Sequence, residues 1–133
     1  MIETLILAGQ RLADALRAEN EALAALDLQK AATLATGKIA ASDAFAAAYA
    51  AQAKHGAAPQ GQVREAAAVL ARRLEDLGKE NRRLLERAVS LQSRVIETIA
   101  GAALPRATTQ GYAPAGYRPS ATRAPAFALS ARA

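Results

Sequence analysis

The side chains that could do chemistry are few and scattered. His55 is the only histidine, and the chain contains no cysteine. Zinc sites are usually built from several cysteine and histidine ligands, so the usual kind of zinc site cannot form. His55 falls in a segment that predicts a turn, where a lone histidine is most often incidental to function. We therefore expect no catalytic centre, no metal and no cofactor, and a protein that is not an enzyme.

The acidic residues are the second group that could carry chemistry. Several lie four residues from a base, such as Glu75 from Lys79 and Glu86 from Arg82, at the spacing of exposed ion pairs on a helix. General acid–base catalysis would need a carboxylate held away from bulk water, and no acid stands out in this way. We expect solvated helix faces to carry the following acids: Glu19, Glu21, Asp27, Glu75, Asp76, Glu80 and Glu86.

Composition indicates one helical domain. The chain has 133 residues, of which 38 are alanine, the best helix former and one small enough to let helices approach closely. Residues 1–104 hold 13 bases and 12 acids, a net charge of +1, whereas residues 105–133 hold four arginines and no acid, a net of +4. Four dispersed arginines without a stacking platform do not favour nucleic-acid binding.

No membrane or secretory segment is expected. Glu3 occupies the place of the basic region of a signal peptide, and the apolar run at 5–8 is too short for one. A bilayer span needs about 20 apolar residues, and no such run exists. Together with the absence of cysteine, this favours a cytoplasmic protein.

The strongest pattern in the chain is an apolar seam that predicts a helix over 62–102. Its members alternate at spacings of three and four residues, as in a left-handed helical pairing: Val63, Ala67, Leu70, Leu74, Leu77, Asn81, Leu84, Ala88, Leu91, Val95 and Ala102. A second apolar row runs beside the seam through Leu85, Val89, Ile96 and Ile99. Packing against one other helix would bury only the seam. The second row therefore predicts a further partner that covers it.

A helix over 2–54 is predicted to pair with this long helix. Its apolar stripe is regular to Leu26, then loses phase and resumes weakly toward Tyr49. Gly37 either kinks this helix or is tolerated within it, and we favour continuity. Residues 55–61, with two glycines and a proline, predict a turn. Short connections join antiparallel neighbours, so we expect an all-α, coiled-coil-like antiparallel hairpin over 1–104.

The C-terminal residues 105–133 are predicted to be a disordered, basic, proline- and alanine-rich tail. Tyr112, Tyr117 and Phe127 stand there among small residues and are candidate anchors for a partner. The alternative is an extension without function.

The hairpin predicts where a partner binds. It would place the start of the first helix, from Ile2, beside the end of the second, from Leu91 to Leu104. Such an apolar patch usually marks a partner site. It could instead be covered by the tail or by a second copy of the chain. Asn81, a polar residue in the seam, either fixes the register or faces a thin, wet part of the hairpin.

Three segments resemble flagellar export chaperones of the FlgN type. Residues 16–27, followed by Lys30 and Lys38, are similar to a run on the first helix of that family. Residues 80–85 are similar to its asparagine-containing segment on the long later helix, and residues 112–116 to a Tyr-x-x-x-Gly element just beyond it.

The resemblance implies a function in flagellar type III secretion. Chaperones of this family bind C-terminal helical segments of the hook–filament junction proteins, also called hook-associated proteins, and deliver them to the cytoplasmic platform of the export gate. The resemblance places Asn81, Leu84, Tyr112 and Gly116 in the binding region. The apolar rows add these candidates: Leu85, Val89, Leu91, Val95, Ile96, Ile99, Leu104 and Tyr117.

Two other functions fit the composition. A phasin-like protein would coat a granule or membrane surface with alanine-rich amphipathic helices, although such helices usually carry a basic polar face and this one mixes signs. A homodimeric coiled-coil scaffold would need a seam that continues through the first helix, where the pattern breaks after Leu26.

Overall fold

A computed structural model describes residues 1–103, which form three α-helices. Helix α1 spans Ile2–Ala24, α2 spans Leu28–His55 and α3 spans Gly61–Ala103. The all-α, hairpin-like fold is confirmed. The predicted disordered tail over 105–133 lies outside the described residues.

The single helix predicted over 2–54 is wrong, because the chain reverses direction before Leu28. Leu26 has a left-handed backbone, with φ of 59°. Its amide donates to the carbonyl of Leu23 at 3.0 Å, and the next amide, of Asp27, donates to that of Ala22 at 2.9 Å. This pair of hydrogen bonds is a common way to end a helix, usually with glycine at the left-handed position.

Helix α2 begins at the same tight reversal and is continuous through Gly37. The side chain of Asp27 accepts a hydrogen bond from the Lys30 amide at 3.1 Å, which satisfies a backbone donor of the first turn. The interpretation of Gly37 as tolerated within a helix therefore agrees with the structure. The turn to α3 occupies 56–60, and α3 extends one residue beyond each end of the predicted 62–102.

Helix α1 lies between the other two helices. Near its start, Gly9 approaches Phe45 of α2 and Leu70 of α3. Near its end, the core includes Ala31 of α2 and Leu84 of α3. From the start of α1 to its end, the residue numbers of its contacts therefore decrease along α2 and increase along α3. This makes α2 antiparallel to α1, and α3 parallel to it.

This topology contradicts the predicted apolar cluster at one end of the hairpin. Because α1 and α3 are parallel, Ile2 lies at the end of the bundle where α3 begins, far from Leu91. The expectation assumed that the first arm was one straight helix. Because the chain folds back between α1 and α2, the start of α1 lies near the turn at 56–60.

The end of α3 projects beyond the other helices. Gln92 still lines a cavity with Leu23 and Leu28, at the level of the reversal between α1 and α2. Residues 94–102 are all exposed. We call residues 93–103 the overhang; at about 1.5 Å per residue it is about 16 Å long.

Candidate partner-binding surface

Four polar side chains meet in the interior and join all three helices. We call Glu19, Asn20, Lys38 and Asn81 the polar cluster; their exposed fractions are 1%, 7%, 5% and 6%. Lys38 Nζ donates to Glu19 Oε1 at 2.9 Å and to Asn81 Oδ1 at 3.2 Å. Asn81 Nδ2 donates to the same Glu19 oxygen and, at 2.9 Å, to Asn20 Oδ1.

The polar cluster fixes the register of the bundle. Asn20 Nδ2 also donates to the backbone carbonyl of Leu77 at 3.2 Å, so α1 is tied to α3 at two levels. A buried charge is tolerated only when it is paired and hydrogen-bonded, which fits the pair of Glu19 and Lys38. Sliding any one helix by a turn would leave these groups unpaired. Asn81 is therefore buried and hydrogen-bonded and does not face a wet part of the hairpin, which favours the alternative that it fixes the register.

The burial of Glu19 corrects an expectation. Glu19 was predicted to lie on a solvated helix face, because i,i+4 spacing suits exposed pairs. Its partner Lys38 is instead 19 residues away and reaches it only because the chain reverses between α1 and α2. The sequence held one sign of this burial. Glu19 and Asn20 share a helix face with the apolar residues Leu16 and Leu23.

A cavity of about 140 Å³ opens beside the polar cluster, between α2 and α3. Glu19 and Leu23 of α1 lie along it. Small residues of α2 and apolar residues of α3 form most of the walls, which are lined by Leu28, Ala31, Ala32, Ala35, Leu85, Ala88, Val89 and Gln92. The first half of the second apolar row, Leu85 and Val89, therefore faces α2 across this cavity and is half-buried, where a partner was predicted to cover it.

The second half of that row lies on the overhang. Val95, Ile96 and Ile99 are 56%, 37% and 62% exposed. Ile96 and Ile99 follow Leu85 and Ala88 by 11 residues, about three helical turns, and so share their face. The overhang therefore continues the face that packs against α1 and α2, past the point where those helices end.

The predicted binding residues separate into three groups. Asn81 and Leu84 belong to the interior; Leu84 is 2% exposed. Leu85, Val89 and Leu91 are half-buried, and only the residues of the overhang are open. The remaining candidates lie outside the described residues: Leu104, Tyr112, Gly116 and Tyr117.

The outer face of α3 carries mixed charges in exposed pairs. Lys79 Nζ lies 2.9 Å from Glu75 Oε1, as the spacing predicted, and the hydrogen bond between them raises the pKa of Lys79. Within residues 1–103, Glu86 forms no ion pair with Arg82. Arg83 instead binds Glu80 at 2.7 Å, and its hydrogen bond lowers the pKa of Glu80.

The described part of the chain offers surfaces for binding. Residues 1–103 contain no group of three or more histidine, cysteine or acidic side chains that could hold a metal. None of the three helices is long and apolar enough to cross a membrane. Among the surface features of this part of the chain, the cavity beside Glu19 and the apolar face of the overhang lie next to the predicted binding residues. No family model, no curated protein and no solved structure matches the chain.

Proposed function

We propose that this protein is a cytoplasmic export chaperone of the FlgN type. It binds C-terminal helical segments of flagellar hook–filament junction proteins and delivers them to the platform of the type III secretion gate. The overhang of α3 is the primary contact for the cargo. The protein does no catalysis; it protects an apolar helical surface until export.

The observation that carries this proposal is the exposed apolar face at the end of α3, on the overhang. Single exposed apolar residues are common on proteins and need no explanation. Val95, Ile96 and Ile99 are different because they continue the buried face of the bundle across about three turns of unpaired helix. A helical segment packed there would rest above the reversal at 25–27 and complete the bundle. Helix-in-groove recognition uses anchors at this spacing.

Two of the three segments that carry the resemblance meet in space; the third, 112–116, lies outside the described residues. Glu19 and Asn20 belong to residues 16–27, Asn81 belongs to residues 80–85, and Lys38 was noted with the first segment. All four join in the polar cluster, although up to 62 residues separate them along the chain. This supports the view that the similarities of residues 16–27 and 80–85 reflect one structural unit rather than chance likeness between alanine-rich helices.

The charges on the overhang favour an apolar contact with the cargo. Within residues 93–103 the only charged side chains are Arg94 and Glu97, which cancel. Burial of apolar surface stabilises a complex by roughly 25 cal/mol per Å² before the cost of association. The affinity should therefore depend weakly on salt, unlike that of a basic surface for nucleic acid or anionic lipid.

A matched pair of valines on α3 tests this function. Val95 lies on the overhang and Val69 on the outer face near the other end, with exposed fractions of 56% and 58%. Val95→Asp should weaken binding of a junction-protein C-terminal helix at least about tenfold, because a charge would be buried against the cargo. Val69→Asp should leave the affinity unchanged. Isothermal titration calorimetry with the full chain measures both, and circular dichroism checks that both variants stay helical.

Ile96→Asp is the second test of the same face. It should abolish binding of the junction-protein helix while the protein stays helical. Equal loss with Val69→Asp, or no loss with Val95→Asp and Ile96→Asp, would contradict the assignment of the overhang. Binding to lipid or polymer granules with no affinity for a junction-protein helix would favour a surface coat. Self-association disrupted by Val95→Asp would favour a homodimeric scaffold.

A further inference from the structure

Helix α2 contributes little to the buried core. Seven of the 23 residues of α1 are buried, but only Ala31 and Lys38 of the 28 residues of α2. Among the described residues, the buried leucines are Leu16, Leu23 and Leu84, which lie on α1 and α3. Burial of apolar surface is the main force that holds helices together. The core therefore joins α1 to α3 through leucine side chains, whereas α2 adds an alanine and a lysine.

The larger apolar side chains of α2 do not make up for this. Leu34 and Phe45 are half-buried, and Ile39 and Tyr49 are 41% and 61% exposed. Next to the polar cluster, the half-open cavity already separates α2 from α3. Few buried apolar contacts are typical of an element that opens locally before the whole protein unfolds.

The polar cluster positions α2 without adding much net stability. Lys38 Nζ donates to Glu19 on α1 at 2.9 Å and to Asn81 on α3 at 3.2 Å. An ion pair in the interior gains attraction but loses the hydration of both charges, so its net contribution is small. When α2 moves away, both charges regain water. Asn81 also donates to Asn20 at 2.9 Å, a link between α1 and α3 that does not involve α2.

Helix α2 has the composition and length to stay helical when it moves. Alanine, the best helix former, makes up 12 of its 28 residues. Isolated helices are marginal in water below about 12–15 residues, and α2 is about twice that length. Non-helical residues flank it at 25–27 and 56–60. Hinges are usually a few residues of this kind, at the ends of elements, that absorb the backbone rotation.

We propose that α2 is a latched helix, which opens as a unit from a pair of α1 and α3 that stays together. The latch is Lys38 in its hydrogen bonds to Glu19 and Asn81, and the hinges are residues 25–27 and 56–60. Opening uncovers the faces of α1 and α3 against which α2 packs. The protein thus has a second conformation beside the overhang. The inference concerns the protein alone and does not depend on the identity of its partner.

Amine labelling of the full chain tests the opening, because the Lys38 amine is buried only while α2 is closed. An N-hydroxysuccinimide ester is the reagent, and mass spectrometry measures the rate at each lysine. Lys54, exposed on the same helix, gives the rate of an unprotected amine. The ratio of the Lys38 rate to the Lys54 rate gives the opening constant.

We expect this opening constant to exceed the constant of global unfolding, measured in urea, at least about tenfold. It should rise with urea less steeply than global unfolding, because opening exposes less surface. Labelling of Lys38 that follows global unfolding would overturn the proposal. Labelling that does not change with urea would also overturn it, since the lysine side chain would then leave without its helix.

Two variants test which contacts break on opening. Asn81→Ala removes an acceptor of Lys38 and should raise the opening constant about tenfold, because that bond is lost in the open state. Ala13 is 0% exposed and lies two helical turns before Asn20, on the side of α1 that bonds to α3. Ala13→Gly should raise the global unfolding constant about fivefold but leave the opening constant unchanged, because α1 stays helical and paired.

Each variant has an outcome that contradicts the proposal, once circular dichroism has shown that both are folded. An unchanged opening constant in Asn81→Ala would overturn the assignment of the latch. An opening constant that rises in Ala13→Gly by the same factor as global unfolding would mean that α1 and α3 separate in the same step. That result would overturn the proposed pair.

Discussion

At the scale of single residues, two lysine–glutamate pairs have the same length but different surroundings. Lys38 binds Glu19 and Lys79 binds Glu75, each at 2.9 Å. The first pair is buried, whereas the side chains of the second are 74% and 63% exposed. Exposed pairs are screened by water and contribute little, but a buried charge that loses its partner is strongly destabilising.

Lys38→Met should therefore lower the free energy of unfolding by about 3–5 kcal/mol, because Glu19 would be left charged and buried. Lys79→Met, its matched control, should have a much smaller effect. Urea unfolding followed by circular dichroism measures both. The double variant Glu19→Leu with Lys38→Met should recover much of the loss, since no unpaired charge remains. Equal effects of the two lysine variants would show that Glu19 is not buried as described.

Gly9 shows how closely the three helices approach. A Cβ at this position would lie 2.7 Å from Leu70 Cδ2 and 3.3 Å from Phe45 Cε1, whereas one at Gly37 would meet nothing within 4 Å. Gly9→Leu should destabilise the protein by about 1–3 kcal/mol through overpacking. Gly37→Leu should stabilise it slightly, because glycine is a poor residue inside a helix. Thermal unfolding compares them, and a neutral Gly9→Leu would contradict the close approach.

At the scale of elements, the reversal between α1 and α2 decides the architecture. Leu26 has a positive φ, which costs a residue with a Cβ about 1–2 kcal/mol, and its side chain is 49% exposed. Leu26→Gly should therefore raise the free energy of unfolding by about 0.5–1 kcal/mol, after the added flexibility of the unfolded chain is subtracted.

A neighbouring substitution is the control for that reversal. Ala24 is exposed and is the last residue of α1, with an ordinary helical backbone. Ala24→Gly should lower the stability by up to about 1 kcal/mol, the opposite sign. Chemical denaturation resolves changes of this size. A loss of stability in both glycine variants would mean that Leu26 is not left-handed in solution.

At the scale of the whole molecule, stability should fall along α3. Leu84 and Ala88 belong to the core that joins α1 and α2, whereas residues 94–102 are exposed. Short helical segments without tertiary packing are marginal in water. Amide hydrogens of the overhang should therefore exchange at least about tenfold faster than those of residues 81–88. Hydrogen exchange with mass spectrometry measures this.

Hydrogen exchange measured with and without a partner is the control for this prediction. Addition of a junction-protein helix should slow exchange in the overhang and leave the start of α3, near Val63, unchanged. In the absence of partner, exchange in the overhang as slow as in residues 81–88 would mean that another segment or a second copy already covers it. Comparison at several protein concentrations separates these two cases.

Much of the fold follows from periodicity in the sequence. The seam from Val63 onward spaces apolar residues at three and four, which by itself specifies one long amphipathic helix. Glycine and proline near 55–61 specify its start, because both destabilise helices. The reversal at Leu26 was not predicted, because leucine takes the place of the glycine that usually marks such a helix end. The loss of the apolar repeat after Leu26 was the only sign of this reversal in the sequence.

The sequence alone determined the helical class, the long third helix and the apolar rows on it, because these depend on local spacing. Only the tertiary structure decided which rows stay open. Folding at Leu26 placed α2 across the cavity from Leu85 and Val89 and left Ile99 exposed. It also joined Glu19 to Lys38 inside the bundle, since burial and pairing depend on contacts between residues distant in sequence.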